Sequence, residues 1–72
     1  MKTYKTFLKS RRTMERAIGQ TIVAFAEAGN AGAIRSTVTS SDKDRASLVA
    51  LCGASQKRIA ATQNFLRENG IS

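Results

Sequence analysis

The chain contains no histidine, no proline and no tryptophan, and it has a single cysteine. Without histidine the usual zinc spacings cannot be assembled, and the common base–nucleophile constellations lose their central member. Five scattered acids complete no base, nucleophile or metal constellation. Gly29-Asn30-Ala31-Gly32 lacks the lysine and the spacing of a phosphate loop. We therefore expect no enzyme, no cofactor and no metal. Cys52 cannot form an internal disulfide and lies in an apolar run, where a small buried side chain is expected and not a reactive thiol. An intracellular, reducing compartment and a cytoplasmic location follow as expectations. No stretch approaches the roughly 18 apolar residues that a membrane span needs. A basic N-terminal stretch followed by Ala17 to Ala26 has the outline of a signal peptide. However, Gln20 and Thr21 interrupt its apolar part, and the basic part is long and carries Glu15.

What the chain does have is positive charge: 12 Lys and Arg against 5 Asp and Glu, a formal +7 on 7.8 kDa and a pI near 10.6. That density points to a polyanionic partner or an anionic surface. Seventy-two residues make one domain, here 1–72, and so short a chain buries a modest share of its unfolded surface. Self-association, a partner or very regular helix packing is expected to make up the difference, and a homodimer is the simplest form. The absence of proline and the abundance of alanine favour helix throughout.

From Thr3 to about Ala28 the apolar residues Tyr4, Phe7, Leu8, Met14, Ile18, Ile22, Phe25 and Ala26 recur at three- and four-residue steps. That period predicts one helical stripe. At about 100° per residue, Lys2, Lys5, Lys9, Arg12 and Arg16 fall on the opposite face. Arg11 and Glu15 sit on the apolar side one turn apart. They read either as an i,i+4 ion pair at the edge of the packing surface or as a polar pair inside a helix–helix interface. Gly29 to Gly32 should end this helix with a left-handed cap. Residues 33–40, AIRSTVTS, read as an extended linker or a single turn that tacks Ile34 and Val38 onto the core. Ser40 or Ser41 is the expected N-cap of a second helix from about Asp42 to Cys52, with acids in its first turn. That helix should bury Ala46, Leu48, Val49 and Leu51 or Cys52. A third helix, from about Ser55 to Glu68 and capped by Gly70, should bury Ile59, Thr62, Phe65 and Leu66.

Within residues 48–70, LVALCGASQKRIAATQNFLRENG, a turn glycine is followed by Ala54, Ser55 and, six positions on, Ile59, while Leu48 and Cys52 stand where a preceding helix packs. This pattern resembles the helix-turn-helix family of DNA-binding proteins. Glycine allows the turn, serine caps the second helix, and isoleucine locks the pair together. The sequence departs from the family at Val49, where alanine is usual, at Thr62, where an aliphatic residue is preferred, and at the small Ala54. The helical stripes predict an all-α domain of three main helices with a helix-turn-helix-like C-terminal pair, and the resemblance implies that the last helix enters the major groove. Gln56, Lys57, Ala60, Gln63, Asn64 and Arg67 would then face base edges, with Lys5, Lys9, Arg12 and Arg16 on phosphates. The function implied is duplex DNA binding in transcription regulation or the regulation of a mobile element.

An alternative architecture keeps Gly53 inside one long helix from Asp42 to Glu68, at a cost of about 1 kcal/mol. The chain would then be a two-helix hairpin dimerising into a four-helix bundle, similar in layout to small plasmid-encoded RNA-binding dimers. Under that layout the function is RNA binding, or protein binding as an adaptor or inhibitor of a host enzyme, of the kind phages and plasmids encode. The few aromatic residues, Tyr4, Phe7, Phe25 and Phe65, all fall on expected buried stripes, which disfavours a single-strand reader.

Overall fold

The computed structural model describes the backbone of residues 2–39 and 41–71, and the side chains from Arg11 onward within those limits. The side chains of Lys2, Tyr4, Lys5, Phe7, Leu8 and Lys9, and the cap expected at Ser40, lie outside the described residues. Among the described residues four helices follow one another: α1 Lys2–Glu27, α2 Ala31–Ser36, α3 Arg45–Ala50 and α4 Gln56–Glu68. No strand occurs among the described residues. The domain is all-α, and among the described residues no helix is long and apolar enough to cross a membrane.

Helix α1 is the spine on which the other three pack. At 1.5 Å per residue its 26 residues span about 39 Å, close to the 43 Å length of the molecule. Its buried face is turned relative to the expected stripe: Glu15, Gly19, Ile22 and Val23 are buried, whereas Met14 is 44% exposed and Phe25 and Ala26 are half-buried. The reason lies at Gly19. A Cβ there would stand 2.3 Å from the Leu48 carbonyl oxygen and 2.8 Å from the Cys52 Cβ. The missing side chain lets α3 approach α1 along that line, and the closest approach decides which residues become core.

One hydrophobic cluster takes side chains from every helix: Ile22 and Val23 of α1, Ile34 of α2, Leu48 and Val49 of α3, and Ile59 and Leu66 of α4, joined by Cys52 and Ile71. Cys52 is fully buried and unpaired, as a small apolar side chain should be. Thr62 is buried without penalty because its hydroxyl donates to the Arg58 carbonyl at 2.9 Å. Leu51, the other candidate for this stretch, is 51% exposed. Phe65 is only half-buried.

Several boundaries differ from the sequence reading. The expected linker contains a real helix, α2, whose N-cap is Asn30, its side chain accepting from the Ala33 amide at 3.0 Å. Ile34 is fully buried, but Val38 points away from the core and is 87% exposed. The N-cap of α3 is Asp44 and not Ser41, because the Asp44 carboxylate accepts from the Ser47 amide at 2.7 Å. Ser41 instead accepts from the Lys43 amide at 3.3 Å within the preceding turn. As a result α3 starts at Arg45, and neither acid lies inside its first turn. The long-helix hairpin is overturned. The chain leaves helical geometry after Ala50, passes Gly53 at φ 84°, and re-enters at Gln56 under the Ser55 cap. A side chain at Gly53 would be strained by that φ and would press on the Arg16 guanidinium.

The three consecutive residues Lys43, Asp44 and Arg45 each hold a different element. Lys43 Nζ donates to Glu15 of α1 at 2.9 Å, and Asp44 caps α3. Arg45 donates to the carbonyls of Ile34 and Arg35 at 2.9 Å and of Thr37 at 2.8 Å, closing the C-terminus of α2.

Candidate nucleic-acid interface

Helix α4 follows α3 after a five-residue turn, and its core-facing positions are fixed by Ile59, Thr62 and Leu66. Ser55 starts it, its hydroxyl accepting from the Arg58 amide at 3.4 Å. A Schellman turn ends it: Gly70 N donates to Arg67 O at 3.2 Å and Ile71 N to Leu66 O at 2.9 Å, with buried Ile71 as the accompanying hydrophobic contact.

On the opposite side, Gln56, Lys57, Ala60, Asn64 and Arg67 are all exposed. Among the described residues no hydrogen bond or ion pair engages these four polar side chains. Gln63 differs. It is half-buried, and its Nε2 donates to the Ala46 carbonyl at 3.2 Å, tying α4 to α3. Arg58, next to Lys57, is also committed, pairing with Glu27 of α1 at 2.6 Å. That pair lowers the Glu27 pKa and raises that of Arg58, chiefly through the hydrogen bond between them. Both partners are about half exposed, so the pair adds orientation more than stability.

Of the phosphate-contact candidates, Lys5 and Lys9 lie on α1 with side chains outside the described residues. Arg12 is exposed, and nothing among the described residues engages it. Arg16 is exposed but partly used: its Nε donates to the Cys52 carbonyl at 3.3 Å, beside Gln20 Nε2 at 3.1 Å. Together these two side chains of α1 satisfy a carbonyl that α3 leaves open in the turn.

The Glu15 question is decided against the local pair. Glu15 is 4% exposed, and its partner at hydrogen-bond distance is Lys43, 28 residues away. The hydrogen bond from Lys43 is the main cause of its lowered pKa; burial opposes that shift, while the charges of Lys43 and Arg11 and a hydrogen bond from Ser41 add to it. A buried acid on an apolar stripe did signal a partner, but nothing local to Glu15 named Lys43. Arg45 and Gly19 carried no local signal either.

Compared with known proteins, the chain matches no family model, no curated protein and no solved structure. Its functional reading rests on the chemistry of this surface.

Proposed function

We propose that the protein is a small nucleic-acid-binding regulator that docks α4 in the major groove of duplex DNA, acting as a homodimer in the cytoplasm. The observation that carries this reading is the outward face of α4. Gln56, Lys57, Asn64 and Arg67 stand exposed, and engaged by nothing among the described residues, along a helix that follows a glycine turn, in a chain of charge +7. Asparagine and glutamine pair with adenine, lysine and arginine with guanine or phosphate, and Ala60 can meet a thymine methyl. Gln63 drops out of the reading set, because its amide holds α3 and α4 together. Two copies would place two such helices about 34 Å apart on a palindromic site.

A second reading, docking on an acidic protein surface, is favoured by one cavity. It has a volume of about 290 Å³ between α1 and α4, and Ala26, Lys57, Arg58, Ala61 and Phe65 are among the residues that line it.

The test is a fluorescence-anisotropy titration of labelled duplex DNA, duplex RNA and an acidic peptide at two salt concentrations, with light scattering for the oligomeric state. Duplex DNA should bind in preference to both others, and log affinity should fall linearly with log salt at a slope of about −0.9 per phosphate contact. Asn64→Ala should weaken preferred sites by about 1–3 kcal/mol, whereas Lys9→Ala should weaken every sequence equally. Equal effects of both on all sequences would remove direct readout, and tight peptide binding with none to DNA would establish the second reading.

A further inference from the structure

Two adjoining cavities, of about 430 and 260 Å³, open beside α1 near the segment that leads into α3. The larger is lined by Arg12, Glu15, Arg16, Lys43 and Leu51, and the smaller by Arg11, Arg12, Glu15 and Lys43. Four cations therefore surround one carboxylate, and that carboxylate is buried beneath the Lys43 ammonium. An incoming anion meets the cations first.

Donor accounting shows capacity left over. Lys43 offers three N–H donors, and Glu15 takes one; its side chain is 42% exposed. Arg16 spends its Nε on Cys52 O and keeps the rest of its fork. Arg12 carries five donors and is engaged by nothing among the described residues. The half-exposed Leu51 forms an apolar wall on the larger cavity. Cations beside an apolar wall suit an anion attached to an apolar or planar group, because the wall thins the water that would screen the charges.

We propose that Arg12, Arg16 and Lys43 form a phosphate clamp, held in register by Glu15, that takes the phosphate of a nucleotide unit with its sugar or base against Leu51. The clamp deepens the nucleic-acid reading and rests on it only for the source of the phosphate, which is either a nucleic-acid backbone or a free nucleotide. Lys43 comes from another segment than the basic face of α1, so the clamp grips from two sides where a single helix face could only line up charges. Glu15 acts as a positioning residue through its bond to Lys43.

The experiment is a titration of the full ¹⁵N-labelled chain with inorganic pyrophosphate, then with a nucleoside diphosphate and with a short duplex, followed by amide shifts and calorimetry. Pyrophosphate should bind saturably, with the largest shifts at residues 11–16, 43 and 51. Arg12→Gln and Lys43→Gln should each weaken it by roughly tenfold, the low end for a hydrogen bond between charged groups. Should Lys43→Gln disturb the fold, visible in the amide spectrum, Arg12→Gln carries the test, since nothing among the described residues engages Arg12. Pyrophosphate that displaces the duplex assigns the clamp to a nucleic-acid backbone. A nucleoside diphosphate that binds more tightly than pyrophosphate and leaves the duplex in place assigns it to a free nucleotide. Non-saturating shifts spread over the surface, or unchanged binding by Arg12→Gln, would overturn the clamp. Clamp binding without any duplex binding would remove the α4 reading alone, and duplex binding indifferent to both variants would remove the clamp alone.

Discussion

The two long helices and the two short ones end in different ways. Helices α1 and α4 finish on glycines in the left-handed region, Gly29 at φ 70° and Gly70 at φ 65°, each closing a local Schellman turn. The six-residue helices α2 and α3 have no such ending. Arg45 closes α2 from the start of the next helix, and Arg16 and Gln20 of α1 take the Cys52 carbonyl in the turn after α3. A helix of six residues forms too few internal bonds to repay its nucleation, so its ends must be held by side chains from elsewhere. The long helices are set by their own sequence, and the short ones by their surroundings.

The most damaging way to break this contrast is Gly19→Ala. With the Leu48 carbonyl oxygen 2.3 Å from the new Cβ, α3 must move off α1, and about 3 kcal/mol or more should be lost in urea denaturation. Arg45→Met comes next. It leaves three carbonyls without their charged donor and should cost about 2–3 kcal/mol, with amide protection lost first in α2. Gly70→Ala should cost about 1 kcal/mol by forcing a left-handed alanine into open space, with fraying confined to the end of α4. If Gly70→Ala proved as costly as Arg45→Met, the division between local and borrowed endings would fail.

Acid gives the gentlest version of the same experiment. The pKa values of Glu15, Glu27 and Asp44 are all lowered in the fold. Their contribution is therefore complete above the unfolded values, near 4.5 for Glu and 3.8 for Asp, and is lost as pH falls through the lower folded ones. Thermal melting should be flat from pH 8 to 6 and should decline below about pH 4.5, with Glu15→Gln reducing that decline. The bonds that close the Schellman turn of α4 run between backbone amides and carbonyls, so the last turn of α4 should keep its amide protection while α3 loosens.

The same division explains what was legible in the sequence. The turn at Gly53, the Ser55 cap and the terminal glycines are local devices, each recognisable within a few residues, and all stand where the pattern put them. The segment that forms α2 resembles a linker in sequence because its hydroxyl and β-branched residues give little helical signal, and the side chain that closes it, Arg45, bonds Ile34 from eleven residues away. Asp44 displaced Ser41 as a cap because the docking of Leu48 and Val49 fixes where α3 can begin. On α4 the helical period points to the exposed face, but Gln63 lies at its edge, and only the position of Ala46 shows that its amide is taken. The clamp was invisible for the same reason, since Lys43 reaches α1 only in the folded chain.

The Lys43-Asp44-Arg45 tripeptide has a consequence for motion. Because adjacent residues fasten α1, α2 and α3, no one of these attachments can be released far without pulling on the other two. Helices α2 and α3 should therefore open as one cooperative unit, exchanging their amide hydrogens at a common rate while α4 keeps its own. A single residue inserted between Lys43 and Arg45 would put two of the three attachments out of step at once, whereas the stretch around exposed Val38 is where the chain can accept added length.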